Sequence, residues 1–208
     1  MARAWPTVAM LKKREPKVIA PMHNSETRKP LPPNRRYFIN AMFSRMPGKI
    51  VTIDIPGFGR RRIATVVADY TGTLSQGGSV APAVKQRLRK LARLVDLRVV
   101  TADTFGTAEK ELRGIVTAHL LKPGRQDKEK RALLSQLDLR RVVALGNGNN
   151  DRLMLKAVRK GGGIAIAVDN GEGCAVDALR NADLLITGAA NALDLLLDSR
   201  RLKATLRF

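Results

Sequence analysis

The sequence predicts an α/β protein built on a three-layer, Rossmann-like, doubly wound parallel sheet. Three observations lead there. From residue 63 onward, short β-branched apolar runs alternate with amphipathic stretches of helical period, the pattern of a parallel sheet covered by helices on both faces. Four polar signals sit at or just beyond the ends of these runs, where ligands gather in such a sheet. Hydrophobic residues make up 44% of the chain and aromatics only 4%, so the core is aliphatic, as Val- and Ile-rich strands under Leu-rich helices require.

The elements follow in order. KIVTIDI reads as a strand and PGFG as the turn of a small β-hairpin preceding the sheet. IATVVAD (63–69) is a buried strand ending in a carboxylate. Residues 81–95 place Val84, Leu88, Leu91, Leu94 and Val95 at helical spacing. LRVVT (97–101) is a strand, TAEKELRGI a short helix and AHLL (118–121) a strand. DKEKRALLSQL (127–137) reads as a helix with its charges facing outward. RVVALG (141–146) is a strand followed by helix NDRLMLKAV. GIAIAV (163–168) is a strand, GCAVDALRNA a helix, DLLIT (183–187) a strand and NALDLLLDS the last helix. No internal repeat is visible.

Composition changes near residue 46. Residues 1–45 hold ten basic and two acidic residues, +8 in all, with six prolines. Proline removes backbone donors and disfavours helix before it. This stretch reads as a disordered basic arm, and 46–208 as the folded domain. Met42 and Met46 are alternative starts directly before that domain. The whole chain carries +20, which attracts polyanions such as nucleic acid, acidic lipid surfaces or phosphorylated substrates. Few aromatics argue against a base-stacking platform.

A single cysteine, Cys174, excludes an internal disulfide and fits a reducing cytoplasm. With only His23 and His119 beside it, the usual four-ligand His/Cys zinc site is excluded. No apolar run approaches the roughly 20 residues of a membrane span, and no apolar core of a signal peptide is seen. His119 reads as packed in its strand and His23 as solvated in the arm. Cys174 reads as early in a helix, where a thiol pKa can fall, with a packed thiol the plainer reading. Gly161–Gly163 reads as a helix end and turn rather than a phosphate loop.

The strand-end residues have complementary chemistry. Asp69 closes the first parallel strand and Thr101 the second. Lys130 lies early in the helix after the third, and Asn147 and Asp151 follow the fourth in LGNGNND. A carboxylate can attack phosphorus and carry the phosphoryl group as an acyl phosphate. A hard cation reduces the repulsion between two anions, and magnesium prefers oxygen ligands. A hydroxyl and an ammonium group can hold the transferring phosphoryl oxygens. Gly72 permits a tight turn after the nucleophile. Lys122 and Lys128 are rivals to Lys130 for the ammonium role.

DYTGTL (69–74), VVTAD (99–103), Lys130 and GNGNND (146–151) resemble, in order, the four motifs of the haloacid dehalogenase superfamily. The likeness spans 63–151 and extends through about 190. It is nearest to small soluble, capless members related to the phosphorylation domain of P-type ATPases, which carry Asp-Lys-Thr-Gly-Thr at the first motif. The resemblance implies a magnesium-dependent phosphohydrolase or phosphotransferase. It makes Asp69 the nucleophile and a magnesium ligand, and the main-chain carbonyl of Thr71 a second ligand. Thr101 becomes the phosphate-binding hydroxyl, Lys130 the motif lysine, and Asn147 and Asp151 the acidic-loop positions at the metal.

Two positions depart from the pattern. Family phosphatases place an aspartate where Thr71 stands, and it protonates the leaving group. Asn147 stands where the family has an aspartate that touches magnesium. Slower hydrolysis and weaker metal binding follow. The alternative is a catalytically weak or inactive relative that binds a phosphate-bearing or anionic partner. Asp69 to Thr101 is 32 positions and Thr101 to Lys130 is 29, which leaves no room for a cap domain. An open site favours a bulky or macromolecular phosphorylated substrate.

Overall fold

A computed structural model describes residues 50–208. The arm 1–45 with His23, and residues 46–49, lie outside the described residues. In the described part, Val51–Ile55 (β1) and Gly59–Ile63 (β2) form an antiparallel hairpin. Six further strands form one parallel sheet: Thr65–Ala68 (β3), Asp96–Thr101 (β4), Ala118–Leu120 (β5), Val142–Gly146 (β6), Ile164–Asp169 (β7) and Leu184–Thr187 (β8). Their order is β5-β4-β3-β6-β7-β8. The chain thus winds outward from β3 in one direction and from β6 in the other, which leaves a crevice between their C-terminal ends. The connecting helices are Pro82–Ala92 (α1), Ala108–Glu111 (α2), Gln126–Ala132 (α3), Arg152–Lys160 (α4), Val176–Arg180 (α5), Ala189–Leu197 (α6) and Ser199–Leu206 (α7). Short 3-10 turns precede β6 and α4.

The central strands are buried on both faces, so they read as continuous apolar runs rather than alternating ones. Every residue of β3 and β6 is buried. Their side chains still divide by parity. Val66, Val99, Val143 and Leu145 pack with α1, α6 and α7. Val67, Val100 and Ala144 pack with Met154, Leu155 and Val158 of α4. The hairpin adds Ile53, Ile55 and Ile63 to the first core.

The fold class and the hairpin agree with the sequence reading, and the differences are local. The last helix runs Ala189–Leu197 rather than through Ser199, and α7 follows it. Asp198 separates the two and caps α7, its carboxylate accepting from the Arg200 amide at 3.1 Å. Only Leu202 and Leu206 anchor α7, too few apolar positions for periodicity to reveal it. The helix expected at 127–137 ends at Ala132, and its charges do not all face outward: Asp127 and Lys130 are buried. The helix expected from Gly173 starts only at Val176, so Cys174 lies in the preceding loop. No helix among the described residues is long and apolar enough to cross a membrane.

Candidate active site

The chain leaves β3 at Asp69, whose amide donates to the Leu145 carbonyl at 2.9 Å. This bond fixes the residue at the end of the sheet, against β6. The residue is only 3% exposed. One carboxylate oxygen, Oδ1, accepts from Lys130 Nζ at 2.6 Å, and the other, Oδ2, accepts from Thr73 Oγ1 at 3.1 Å. The same Lys130 Nζ lies 2.6 Å from Asp151 Oδ1. Lys130 and Asp151 are fully buried. Asp151 Oδ2 accepts from the amides of Asn147 and Gly148 at 3.0 and 2.9 Å. Three motifs far apart in sequence therefore meet in one ionic cluster, with Lys130 between two carboxylates.

Asn147 belongs to the same cluster. Its Oδ1 lies 3.1 Å from Thr73 Oγ1, and its Nδ2 donates to the Gly173 carbonyl at 3.2 Å. A hydroxyl has one proton, so Asp69 and Asn147 share the Thr73 donor. Two glycines make this closeness feasible. Gly72 has φ +74°, and a Cβ there would run into the Asn147 amide. A Cβ on Gly146 would stand 2.5 Å from Asp151 Cγ.

Burial pushes the Asp69 pKa up most, and the Asp151 carboxylate adds to it; Lys130 and Thr73 pull it down, and the result is about 7. Lys130 is moved in the other sense. Burial lowers its pKa, but the Asp151 and Asp69 carboxylates outweigh burial and raise it overall. The lysine therefore keeps its charge, while the second negative charge in the cluster is costly. The Asp69 carboxylate and the Asn147 amide oxygen meet at Thr73 Oγ1, and both are hard donors. Such a set, with one carboxylate more than the lysine balances, fits a magnesium-like ion. Among the described residues no group of three His, Cys, Asp or Glu side chains could hold a metal. Any ion here must therefore use amide or main-chain oxygens as well.

The other expected site residues lie nearby but outside the bonded cluster. Thr101 ends β4, next to Asp69, and is buried; its Oγ1 accepts from the Asp103 amide at 2.8 Å. That leaves the hydroxyl proton for another acceptor. Thr71 Oγ1 is buried with no hydrogen-bond partner. Of the rivals to Lys130, both Lys122 and Lys128 are exposed. Asp151 stands as a support: both its oxygens are engaged, by Lys130 and by two amides. Cys174 packs against the second core, in line with the plainer reading, and burial first and then the Asp169 and Asp151 charges raise its pKa, against the lowered alternative.

Sequence reasoning missed Thr73, although it stands in the quoted DYTGTL segment. It also missed Tyr70, fully buried beside the nucleophile. The Gly78 carbonyl accepts from Tyr70 OH at 2.7 Å and from Thr107 Oγ1 at 2.6 Å. The Val80 amide donates to Glu111 at 2.8 Å, and the Gly77 amide to Glu172 at 2.5 Å. The turn after the nucleophile is thus tied to the loops after β4 and β7. Between β3 and β5 the chain holds only α1, β4, α2 and turns, with no inserted domain.

No family model matches the chain. Over 68 residues it is 41% identical to the uncharacterized protein MJ0073 of Methanocaldococcus jannaschii, an alignment covering 33% of this chain and 69% of that protein. Among solved structures it is similar to 3-deoxy-D-manno-octulosonate 8-phosphate phosphatase of Moraxella catarrhalis, in complex with magnesium, phosphate and the sugar. The TM-score is 0.52 at 14% identity, covering 70% of this chain and 94% of that one. A Streptomyces avermitilis protein assigned to the HAD family of hydrolases gives 0.50 at 18% identity, covering 70% and 84%. A hypothetical protein of Xanthomonas campestris gives 0.52 at 16%, covering 69% and 85%. At these identities the likeness establishes the fold.

Proposed function

The chain belongs to the family of the archaeal protein MJ0073 and its fold is that of the haloacid dehalogenase superfamily; from this premise we propose that it is a magnesium-dependent phosphohydrolase or phosphotransferase working through phospho-Asp69. The observation that carries the reading is the buried Asp69–Lys130–Asp151 cluster at the crevice of the sheet. Residues 46–208 are the catalytic domain in this reading. The small soluble ATPase-like subgroup is retained on the strength of Thr71, and a cytoplasmic location on the single cysteine.

In the proposed reaction an Asp69 carboxylate oxygen bonds to phosphorus as the bond to the leaving oxygen breaks. The leaving group takes a proton from water. Water then attacks the acyl phosphate, which releases inorganic phosphate and restores the carboxylate. Lys130 holds Asp69 in place and carries positive charge toward the phosphoryl oxygens. Thr73 orients the attacking carboxylate, and Thr101 offers its free proton to a phosphoryl oxygen. Asp151 keeps Lys130 charged and aimed. Asp69, the Thr71 carbonyl and Asn147 would hold the ion, with Asp151 acting from behind them. A bound divalent cation supplies the positive charge that keeps the Asp69 carboxylate ionised near neutral pH and screens its approach to phosphate.

Thr71 cannot act as an acid at neutral pH, so good leaving groups are favoured and phospho-Asp69 outlives its formation. An open mouth suits bulky phosphorylated substrates; comparing small sugar phosphates with phosphopeptides and nucleotides tests this, and a strong preference for the sugars would sink it. The test of the chemistry is Asp69→Asn with magnesium and an aryl phosphate. Turnover is expected to fall on the order of a thousandfold or more, and a hydroxylamine-labile phosphoprotein to vanish. Unchanged turnover in the variant ends the reading. The second reading, a binding protein without turnover, is favoured by Thr71 and Asn147 together; it predicts phosphate binding with no phosphoprotein formed.

A further inference from the structure

The end of the sheet opposite Asp69 carries a different feature. Helix α1 returns from the end of β3 to the start of β4, and α6 returns from the end of β8. The last turn of α1 and the first turn of α7 therefore lie at the N-terminal end of the strands. There they border a groove of about 600 Å³ lined by Arg87, Lys90, Arg93 and Arg201 with Asp194 and Asp198. Four cations face two carboxylates. Arg87 engages Asp194 with a two-pronged bond at 2.8 and 2.9 Å. Arg200, just outside the groove, engages Asp198 in the same way at 3.0 Å. Arg201 reaches the already occupied Asp194 at 3.5 Å. No carboxylate among the described residues lies within ion-pair distance of Lys90 or Arg93.

Helix stability accounts for some of this charge and not the rest. Cations in the last turn of α1 complement the helix dipole. Arg200 and Arg201 stand in the first turn of α7, which contains no acidic residue; there the dipole opposes them. The face also extends beyond the groove. α7 packs on α6 and β1, and the Phe208 amide donates to the Pro56 carbonyl of the hairpin turn at 3.1 Å. Lys203 on α7 and Arg207 just after it are exposed along this continuation.

We propose that this groove and the face extending it dock the phosphate backbone of a double-helical nucleic acid. Most of the cations are arginines, whose planar fork matches phosphate oxygens. The described residues offer no platform for unstacked bases. Phe58 lies under the Arg61 guanidinium, 4.5 Å from its carbon, Tyr70 is buried and Phe105 follows β4 at the opposite end. Among the described residues only Phe208 is a largely exposed ring on this side, whereas single-strand binders present several. Contact is then to the backbone and independent of sequence. The surface lies away from Asp69, so it stands or falls apart from the phosphatase reading.

The test uses the full chain and a fluorescent 20-base-pair duplex, titrated at several salt concentrations. A variant with Lys90→Gln, Arg93→Gln and Arg201→Gln is compared with a charge-matched control, Lys110→Gln, Arg113→Gln and Lys156→Gln. The first is expected to bind on the order of tenfold more weakly and to lose about two to three from the log–log salt slope; the control shifts affinity less than twofold. Equal losses in both variants overturn the proposal. So does loss of binding to phosphatidylserine vesicles with duplex binding intact, since that assigns the face to a membrane. A footprint on the unmodified chain gives a second measure. Duplex should protect Lys90 and Lys203 from acetylation more than Lys110 and Lys156, and equal reactivity at all four counts against the proposal.

Discussion

The two ends of the parallel sheet handle charge in opposite ways. At the C-terminal end, Asp69, Lys130 and Asp151 form a cluster with side chains 0–4% exposed and both ion-pair contacts at 2.6 Å. At the N-terminal end, arginines and lysines outnumber carboxylates and most reach into water. The residue types are the same; the dielectric differs. A buried charge without its partner carries its full desolvation cost, whereas an exposed one is hydrated and screened. Precision is possible only at the first end, and long-range attraction of anions suits only the second.

This contrast is broken most strongly by Lys130→Met. Two buried carboxylates would then face each other without a cation. Unfolding in urea is expected to show a loss of about 3–5 kcal/mol, together with loss of any phosphatase activity. A neutral change in stability would mean that the cluster is not buried in solution.

The pH dependence tests the same cluster. The folded Asp69 pKa, about 7, lies above its ordinary value of 3.8. The folded state therefore binds the proton more tightly than the unfolded chain between these values. Stability from this group is fully present below about pH 4 and is lost as pH rises through 7. In EDTA, the thermal midpoint of the wild type should fall more between pH 5 and 8 than that of Asp69→Asn. Magnesium should reduce the difference, because a bound cation favours the carboxylate. Parallel curves for the two proteins would contradict the raised pKa.

Gly72→Ala probes the turn that brings Asn147 to the nucleophile. The residue has φ +74° and its Cβ would meet the Asn147 amide. A loss of about 1–3 kcal/mol in stability is expected, with weaker magnesium dependence of activity as Asn147 is displaced. Calorimetry and a magnesium titration check both. The smallest effect belongs to Arg60→Gln. Its pair with Asp54 is 3.7 Å long, with side chains 70% and 68% exposed. Chemical denaturation should show a change of roughly 0.5 kcal/mol or less.

Much of this architecture was legible in the chain. The strands VVA, LRVVT and VVALG announce themselves because burial on both faces makes them continuous and β-branched. Asp69, Lys130 and GNGNND were legible because each follows such a strand. The boundaries of the short helices were less so. α2, α3 and α5 are four, seven and five residues long, and their ends are set by packing on the sheet rather than by periodicity. Helix α7 escaped notice because Leu202 and Leu206 gain meaning only from β1 and α6 beneath them. Thr73 escaped because a threonine inside a turn reads as a turn residue until two acceptors are seen at 3.1 Å.

The sequence by itself determined the sheet, its winding and the identity of the polar groups at its crevice, because strand burial and strand ends are properties of local pattern. Only the tertiary structure decided how those groups are bonded. It set Lys130 between two carboxylates, filled both oxygens of Asp151 and gave one Thr73 proton two acceptors. It likewise brought the last turn of α1 and the first turn of α7 together around one basic groove. Those outcomes rest on contacts of 2.6–3.1 Å that join Asp69 to Lys130 and Thr73 to Asn147 across 61 and 74 residues, and no local preference of the chain encodes them.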